Sequence, residues 1–162
     1  MDTLFIFGAK YLYILPIIIG AIYFLKASGE TKKEIFIFAV FTLPLTFLLG
    51  VLANHLYINP RPFVVDNFAP LIPHAADNGF PSDHMLLVSV IAMLFSFFSR
   101  RTALWLWIIA FLVGISRVYV GVHHLTDIFG SVIIAVISGY TVFYAHRAIL
   151  KTYKNNYRKT NE

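Results

Sequence analysis

The sequence of 162 residues contains no cysteine and few charged side chains. The missing cysteines exclude a disulfide scaffold, thiolate chemistry and Cys-ligated zinc or iron–sulfur sites. Charged residues make up 13% of the chain, whereas an ordinary soluble domain has roughly a quarter. Apolar residues make up 59%, which leaves too few polar groups to cover the surface of so small a chain in water. These proportions indicate an integral membrane protein rather than a soluble enzyme or a disordered tail.

Five apolar stretches are the candidates for crossing a membrane, and they cover residues 4–25, 35–58, 85–99, 103–122 and 128–150. We expect helices, because a backbone in lipid must satisfy its own hydrogen bonds and a crossing needs roughly 20 residues. The third stretch is short and should either gain a turn from residues 81–84 or lie where the protein thins the bilayer. Pro16 and Pro44 should kink the first two. The sequence therefore predicts an all-α membrane bundle with about five transmembrane helices, forming one domain over residues 1–162.

Positive charge is strongly one-sided in this arrangement. Ten of the thirteen Lys and Arg residues fall on one side: Lys26, Lys32, Lys33, Arg100, Arg101, Arg147, Lys151, Lys154, Arg158 and Lys159. Because cytoplasmic segments carry the excess of Lys and Arg, we expect the N-terminus outside and the C-terminus inside. The basic tail, residues 151–162, either lies on anionic lipid headgroups or is simply a solvated end. The same asymmetry explains the basic pI, so nucleic-acid binding has no support.

The outer side is poor in basic residues but carries most of the chemically unusual ones. Arg117 lies about 14 residues into the fourth stretch. An intramembrane arginine is costly and marks a candidate functional site, although its long side chain could also extend to the interface. Arg61, between two prolines, is a second candidate, although it could also mark a helix end. Ser82 and His84 stand at an expected helix start, where Ser82 could serve as an N-cap and where free N–H groups suit a phosphate. These positions suggest an anion-binding site at the outer face.

A histidine and an aspartate complete the candidate site. His123 and Asp127 are four residues apart, which on a helix would put both on one face, so that the carboxylate fixes the imidazole tautomer. His124 is the competing partner of Asp127 and is the weaker candidate. His55, His74 and His146 have no partner that the sequence identifies. We expect no metal, because the sequence has neither a carboxylate cluster nor a His-x-x-x-His pair.

These segments resemble the type-2 phosphatidic acid phosphatase superfamily. Its signature is Lys-x6-Arg-Pro, Pro-Ser-Gly-His and Ser-Arg-x5-His-x3-Asp, and the third block is present in full as Ser116-Arg117, His123 and Asp127. The second block reads Pro81-Ser82-Asp83-His84, with Asp83 in place of glycine. The first keeps Arg61-Pro62 but has Asn54 where the family has lysine. The resemblance covers the site region, residues 54–127.

The resemblance implies a role for each site residue. His123 would attack phosphorus to give a phosphohistidine, Asp127 would orient it, and His84 would protonate the leaving oxygen and then help to activate water. The phosphate oxygens would be held by Arg61, Ser82 and Arg117. Asn54 would either donate a neutral hydrogen bond there or leave the site with one positive charge fewer. The family needs no metal and no other cofactor.

Further segments resemble bacterial undecaprenyl-diphosphate phosphatases of this superfamily, namely residues 60–63, 74–78, 80–84 and 118–124. The resemblance implies a polyprenyl or phospholipid phosphate substrate, an inner-membrane location and a periplasmic or extracellular site. Phosphatidylglycerophosphate and lipid A 1-phosphate are the alternative substrates. Vanadium-dependent halide oxidation and a non-enzymatic role in lipid binding or transport are the alternative classes. The outer loop, residues 63–80, is too short for a separate headgroup-recognition domain, so substrate choice could be loose.

Overall fold

The computed structural model describes the backbone of residues 1–161 and the side chains of residues 1–151. Seven helices follow one another along this part of the chain: α1 Asp2–Tyr11, α2 Ile14–Lys26, α3 Gly29–Leu56, α4 Pro62–Val65, α5 Asp83–Ser96, α6 Arg100–Tyr119 and α7 Leu125–Asn161. The described backbone contains no β-strand beyond an isolated bridge between Pro60 and Asn78. The prediction of an all-α membrane bundle is confirmed. The predicted basic tail, residues 151–162, falls almost entirely outside the described side chains.

The apolar stretches all form helices, but these differ in length. Among the described residues, three helices are long and apolar enough to cross a membrane by themselves: Gly29–Leu56, Arg100–Tyr119 and Leu125–Lys151. The pair α1 and α2 passes the same test only when taken together. The 14 residues of α5 extend about 21 Å at the usual helical rise, short of the roughly 30 Å hydrocarbon layer. A count of five crossings therefore stays a prediction.

The first apolar stretch is broken, and Pro16 explains where. The axes of α1 and α2 meet at 48°, across Leu12 and Tyr13. Proline at position 16 has no N–H to give to the carbonyl of Leu12, and its ring would collide with that carbonyl in a continuous helix. The Leu12 carbonyl instead accepts a tighter bond from the Leu15 N–H at 3.1 Å. The expected kink is therefore a break four residues before the proline, whereas α3 continues through Pro44.

Helix α5 forms the centre of the bundle and packs against α2, α3, α6 and α7. Its start gains only Asp83 and His84 over the apolar stretch, and it ends at Ser96 rather than Ser99. Val88 and Ala92 of α5 are fully buried, whereas α3, α6 and α7 turn many large apolar side chains outward. This inside-out distribution is what a lipid-facing bundle requires, because only the central helix is shielded from lipid by protein.

One end of the bundle collects the polar segments. Helices α3 and α6 end there, and α5 and α7 begin there, so the connections 57–82 and 120–124 lie over the same end. Helix α1 packs against α6 beside this end. Gly8 permits the close approach, since a Cβ at that position would collide with the Ser116 side chain. The basic residues Lys26, Arg100 and Arg101 belong to the opposite ends of α2 and α6.

Candidate active site

His123 lies in the short connection between α6 and α7. Its Nδ1 is 3.2 Å from Oδ2 of Asp127, and both side chains are buried. The prediction that both residues share a helical face is wrong, because α7 begins only at Leu125. The chain turns at Gly121, whose φ of +79° favours glycine. His123 therefore precedes the helix, and Asp127 reaches back to it from the first helical turn.

The carboxylate of Asp127 is held by three donors. Oδ2 also accepts the backbone N–H of His124 at 2.9 Å, and Oδ1 accepts the side-chain amide of Asn59 at 2.7 Å. The bond from His124 satisfies one of the free N–H groups at the start of α7, in the manner of a capping box. Asp127 thus closes a helix end and orients His123 at the same time.

Two buried arginines converge on the other imidazole nitrogen. Nη1 of Arg61 and Nη2 of Arg117 each lie 3.3 Å from Nε2 of His123. Arg61 Nη1 also donates to the carbonyl of Val122 at 2.9 Å, and Arg117 Nη1 reaches the carbonyl of Ala9 in α1 at 3.4 Å. The two guanidinium groups come from segments 56 residues apart, and the imidazole lies between them.

These contacts determine the form of the His123 ring. A guanidinium group has only donors, so Nε2 must accept, and the ring proton is on Nδ1, where it is donated to Asp127. Burial lowers the pKa of His123; the hydrogen bond to Asp127 works in the opposite direction, and the charges of Arg117 and Arg61 lower the pKa further. The imidazole is therefore neutral near pH 7, with the lone pair of Nε2 facing the arginines. This is the form of histidine that can attack an electrophile.

Ser82 and His84 lie at the start of α5. Ser82 occupies the N-cap position but makes no side-chain capping bond, and its Oγ is fully buried without a hydrogen-bond partner among the described residues. The carbonyl of Ser82 accepts the hydroxyl of Ser131, which fixes the segment against α7. The ring of His84 packs edge-on against Tyr13 at 4.6 Å. Capping therefore does not account for Ser82, whose buried hydroxyl has no partner among the described residues.

Asn54 stands near the end of α3 and already has a partner. Its side-chain amide donates to the carbonyl of Phe80 at 2.6 Å. Together with Arg61, Asp77 and Pro81 it lines a pocket of about 250 Å³. The bond to Phe80 fixes the chain two residues before Ser82. Asn54 thus supports the serine segment, whichever contact it makes with a ligand.

Residues 35–151 match the sequence profile of the PAP2 superfamily. The chain belongs to the PAP2 superfamily. A curated relative, undecaprenyl-diphosphatase BcrC of Bacillus subtilis (strain 168), is 32% identical over 147 residues, which cover 88% of this chain and 74% of that protein.

Two solved structures share the PAP2 fold of this chain. The crystal structure of Aquifex aeolicus LpxE superposes with a TM-score of 0.67 at 24% identity, over 88% of this chain and 82% of that one. The transmembrane PAP2 type phosphatidylglycerolphosphate phosphatase from Bacillus subtilis gives a TM-score of 0.55 at 29% identity, over 91% and 75%. The likeness extends beyond the site region to nearly the whole bundle.

The candidate site contains two contacts that the sequence did not identify. Nε2 of His74 lies 3.1 Å from Nη2 of Arg117, and Oδ1 of Asp77 lies 2.6 Å from Nε of Arg61. Burial alone would raise the pKa of Asp77, but the hydrogen bond and charge of Arg61 hold it below its usual range. Burial, helped by the two arginines, lowers the pKa of His74. Both residues lie in the segment 74–78, which carried part of the family resemblance but has no periodicity from which to infer their contacts.

The side chain of Asn78 joins its loop to the end of α3 and to the neighbouring backbone. Its Oδ1 accepts the backbone N–H groups of Asn59 and Phe80, at 2.9 and 3.1 Å, and its Nδ2 donates to the carbonyls of Asn54 and Tyr57, at 2.8 and 3.0 Å. Four bonds from one amide fix the loop that carries His74 and Asp77. Nothing in the sequence alone distinguishes Asn78 from an ordinary turn residue.

The remaining histidines lie at the edge of the site or outside it. Nε2 of His124 lies 3.1 Å from the carbonyl oxygen of Pro60. This ring therefore lies at the wall of the site and is not the imidazole that pairs with Asp127. Nδ1 of His55 contacts the Val51 carbonyl of its own helix. His146 is at the opposite end of the bundle. Within the described part of the chain, no group of three His, Cys, Asp or Glu side chains is placed to hold a metal ion.

Proposed function

We propose that this protein is a PAP2-type membrane phosphatase that releases phosphate from a lipid phosphate or diphosphate headgroup. The hydrogen bonding of His123 carries the proposal. Both guanidinium groups reach its Nε2, while Asp127 holds its Nδ1. A phosphate group drawn to the arginines would meet an unprotonated imidazole nitrogen, because arginine binds phosphate oxygens in a bidentate manner.

The proposed reaction has two displacements. Nε2 of His123 attacks the terminal phosphorus and an N–P bond forms. The P–O bond to the leaving group breaks, and His84 gives a proton to the leaving oxygen. The leaving group is the lipid phosphate when the substrate is a diphosphate and the lipid alcohol when it is a monophosphate. Water then attacks the phosphohistidine while His84 takes its proton; the N–P bond breaks and inorganic phosphate leaves. Asp127 stabilises the positive charge that the imidazole gains in the first step. Charge on the transferred phosphoryl group would be stabilised by Arg61 and Arg117.

Ser82 and Asn54 complete the proposed phosphate site. The free, buried hydroxyl of Ser82 can donate to a phosphate oxygen at the start of α5, where the helix dipole also favours an anion. Asn54 is proposed to act mainly by holding the Phe80 carbonyl, and so Ser82, in place. Side chains supply every charge and proton in this scheme. We therefore propose a metal-independent reaction, for which added chelator should leave turnover unchanged.

Undecaprenyl diphosphate, converted to undecaprenyl phosphate, is the substrate that we propose. The similarity to undecaprenyl-diphosphatase BcrC supports it, at 32% identity over most of both chains. The similarity to a phosphatidylglycerolphosphate phosphatase supports phosphatidylglycerophosphate as the second candidate. The resemblance of the site motifs also keeps lipid A 1-phosphate as a third.

In this proposal, the distribution of Lys and Arg determines on which side of the membrane the site lies. Ten of the thirteen Lys and Arg residues belong to the helix ends away from the site and to the tail that follows them. The positive-inside rule then puts the site on the periplasmic or extracellular side of a bacterial inner membrane, with the N-terminus outside and the C-terminus inside. Labelling of a single cysteine introduced at Ala75 and another at Ser28, in intact cells with an impermeant maleimide, tests this: only the first should react.

The deciding experiment measures phosphate release by the purified protein in detergent. The substrates are undecaprenyl diphosphate, phosphatidylglycerophosphate, phosphatidic acid and lipid A 1-phosphate, and the control is His123→Ala with an unchanged melting temperature. We expect fastest turnover of undecaprenyl diphosphate and none by the variant. Turnover by His123→Ala would remove the proposed nucleophile. A wild-type protein that releases no phosphate from any of these lipids would instead favour passive lipid binding or transport.

A further inference from the structure

The site contains an imidazole that belongs to none of the three signature blocks. Nε2 of His74 is 3.1 Å from Nη2 of Arg117. Since the guanidinium can only donate, Nε2 of His74 must accept, and a neutral ring then carries its proton on Nδ1. His74 therefore presents to Arg117 the same acceptor that His123 presents from the other side, with the two imidazole centres 6.1 Å apart.

Arg117 depends on neutral acceptors. Nη2 is shared between His74 at 3.1 Å and His123 at 3.3 Å, and Nη1 has the longer contact to Ala9 at 3.4 Å. Its Nε is buried without an acceptor among the described residues. The bond to His74 is thus the shortest that the guanidinium makes. It is also independent of His123, whose Nε2 must turn to phosphorus during the proposed reaction.

A neutral acceptor has an advantage at this position. A carboxylate beside Arg117 would cancel its charge and repel an incoming phosphate, an effect that is strong in a poorly solvated site. An imidazole orients the guanidinium and leaves its full positive charge for the ligand. At Arg61 the acceptor is a carboxylate, but Asp77 binds Nε from the solvent side, where 59% of its side chain is exposed and its charge is screened.

The loop holds His74 in place from both sides. Before it, the N–H of Leu71 donates to the carbonyl of Val120 at 3.0 Å, and Ile72 is buried in a cluster with Val120 and Val122. After it, Asp77 binds Arg61 at 2.6 Å. These two anchors fix the chain on either side of His74, so that its imidazole reaches Arg117.

We propose that His74 is a positioning residue, whose neutral imidazole holds the guanidinium of Arg117 in the orientation that receives phosphate oxygens beside His123. The inference rests on the proposed phosphatase function but acts one step earlier, on anion binding. His74 does not touch the reacting atoms in this scheme. Its effect passes through Arg117. This role differs from that of His84, the proposed acid, which acts on the reacting atoms directly.

Two amide substitutions separate positioning from simple space filling. The carboxamide of His74→Gln can put its oxygen where Nε2 stands, whereas that of His74→Asn corresponds to Nδ1 and falls short of Arg117. We expect His74→Asn to weaken inhibition by inorganic phosphate and to lower kcat/KM, each by about tenfold to a hundredfold, as for a lost bond to a charged group. His74→Gln should stay within about threefold of the wild type. The same two substitutions at His146 should change neither quantity.

Coupling to Arg117 gives the second arm of the test. In an Arg117→Lys background, His74→Asn should cost much less than in the wild type, because the group that it positions is gone. Equal losses for Gln and Asn, or fully additive losses with Arg117→Lys, would overturn the proposal.

Phosphate binding separates this inference from the proposed function. A wild type that binds inorganic phosphate without hydrolysing any lipid would contradict the function, while the Gln and Asn comparison of phosphate affinity would still decide the role of His74. A wild type that does not bind phosphate at all would contradict both. If neither variant folds, ¹⁵N NMR of the wild-type histidines decides: a His74 ring protonated at Nε2 contradicts the proposal, and a neutral ring protonated at Nδ1 supports it.

Discussion

The two ends of the bundle carry the same kinds of side chain in opposite settings. At the site end, His123 and Asp127 lie 3.2 Å apart with 3% and 0% of their side chains exposed. At the basic end, His146 and Glu34 lie 3.8 Å apart with 19% and 46% exposed. An exposed ion pair contributes little, because water screens the charges and the side chains stay mobile.

The arginines repeat this contrast. Arg61 and Arg117 are buried, and each bonds groups from two or more other segments of the chain. Arg100 and Arg101 begin helix α6, whose last turn contains Arg117, yet both are exposed. Residue type alone therefore does not make a site. Burial together with bonds between distant segments does.

Removal of the His123 imidazole should have the largest effect on turnover. We expect His123→Ala to lower kcat by about ten-thousandfold or more, because it removes the proposed nucleophile, which contacts both arginines. His146→Ala should keep wild-type turnover. Steady-state phosphate release from both purified variants is the measurement, and equal losses would remove the distinction between the two ends.

Neutralising the carboxylate of Asp127 should have the second largest effect on turnover. Asp127→Asn keeps the shape of the side chain but can donate to Nδ1 of His123, which would put the ring proton on Nε2. We expect kcat to fall roughly a hundredfold to ten-thousandfold, as in other orienting carboxylates. Glu34→Gln at the basic end is the matched control and should leave kcat unchanged. An active Asp127→Asn enzyme would show that the tautomer is fixed by the arginines alone.

The acidic limb of the pH profile should reveal the burial of His123. The ordinary pKa of a histidine is 6.5, and burial lowers the pKa of His123. Because the neutral ring is the proposed nucleophile, protonation of His123 should not limit kcat/KM at pH 7, whereas deprotonation of His84, the proposed acid, sets the alkaline limb. On the acidic side, kcat/KM should fall about tenfold per pH unit only below the lowered pKa of His123. A limb centred above 6.5 would indicate that the charge of Asp127 outweighs burial and the arginines.

Packing at the two ends should respond differently to one added methyl group. A Cβ on Gly130 of α7 would collide with the ring of Phe80, whereas Gly29 at the start of α3 has nothing within 4 Å of that position. We expect Gly130→Ala to cost about 1–3 kcal/mol of stability, through overpacking. Gly29→Ala should be neutral or slightly stabilising. Thermal unfolding in detergent measures both.

The smallest effect concerns the missing family lysine. If the absent positive charge limited phosphate binding, Asn54→Lys would lower KM. Because the amide of Asn54 is already bonded to Phe80 at 2.6 Å, we expect KM to be unchanged or raised by a few fold. Asn54→Ala, which removes that bond without adding charge, is the control. A clearly lower KM for the lysine variant would mean that the extra charge outweighs the lost support of Ser82.

The sequence predicted the parts of the site that depend on residue type and helix direction. Arg117 was conspicuous because an arginine within an apolar stretch is costly. Alternating helix directions brought it to the same end as Ser82 and His123. The helices themselves were recoverable from long apolar runs, and Pro16 indicated a distortion near its position.

The rest depended on three-dimensional contacts with no periodic signal. His74 and Asp77 lie in an irregular loop whose path is set by Asn78 and by the burial of Ile72, and neither follows from spacing along the chain. The helical spacing assumed for His123 and Asp127 failed for a similar reason. The turn at Gly121 and the capping of α7 decide where that helix begins, and the apolar pattern does not record it.

The two hydrogen-bonding roles of the Asp127 carboxylate bear on how related sequences should be interpreted. Its oxygens close the first turn of α7 as well as orienting His123, so an acceptor at this position is useful to the fold even in a protein that has lost its chemistry. The imidazole at 123 satisfies no helix end. In a distant relative, a surviving aspartate is therefore weak grounds for assigning activity, and a surviving histidine beside it is much stronger.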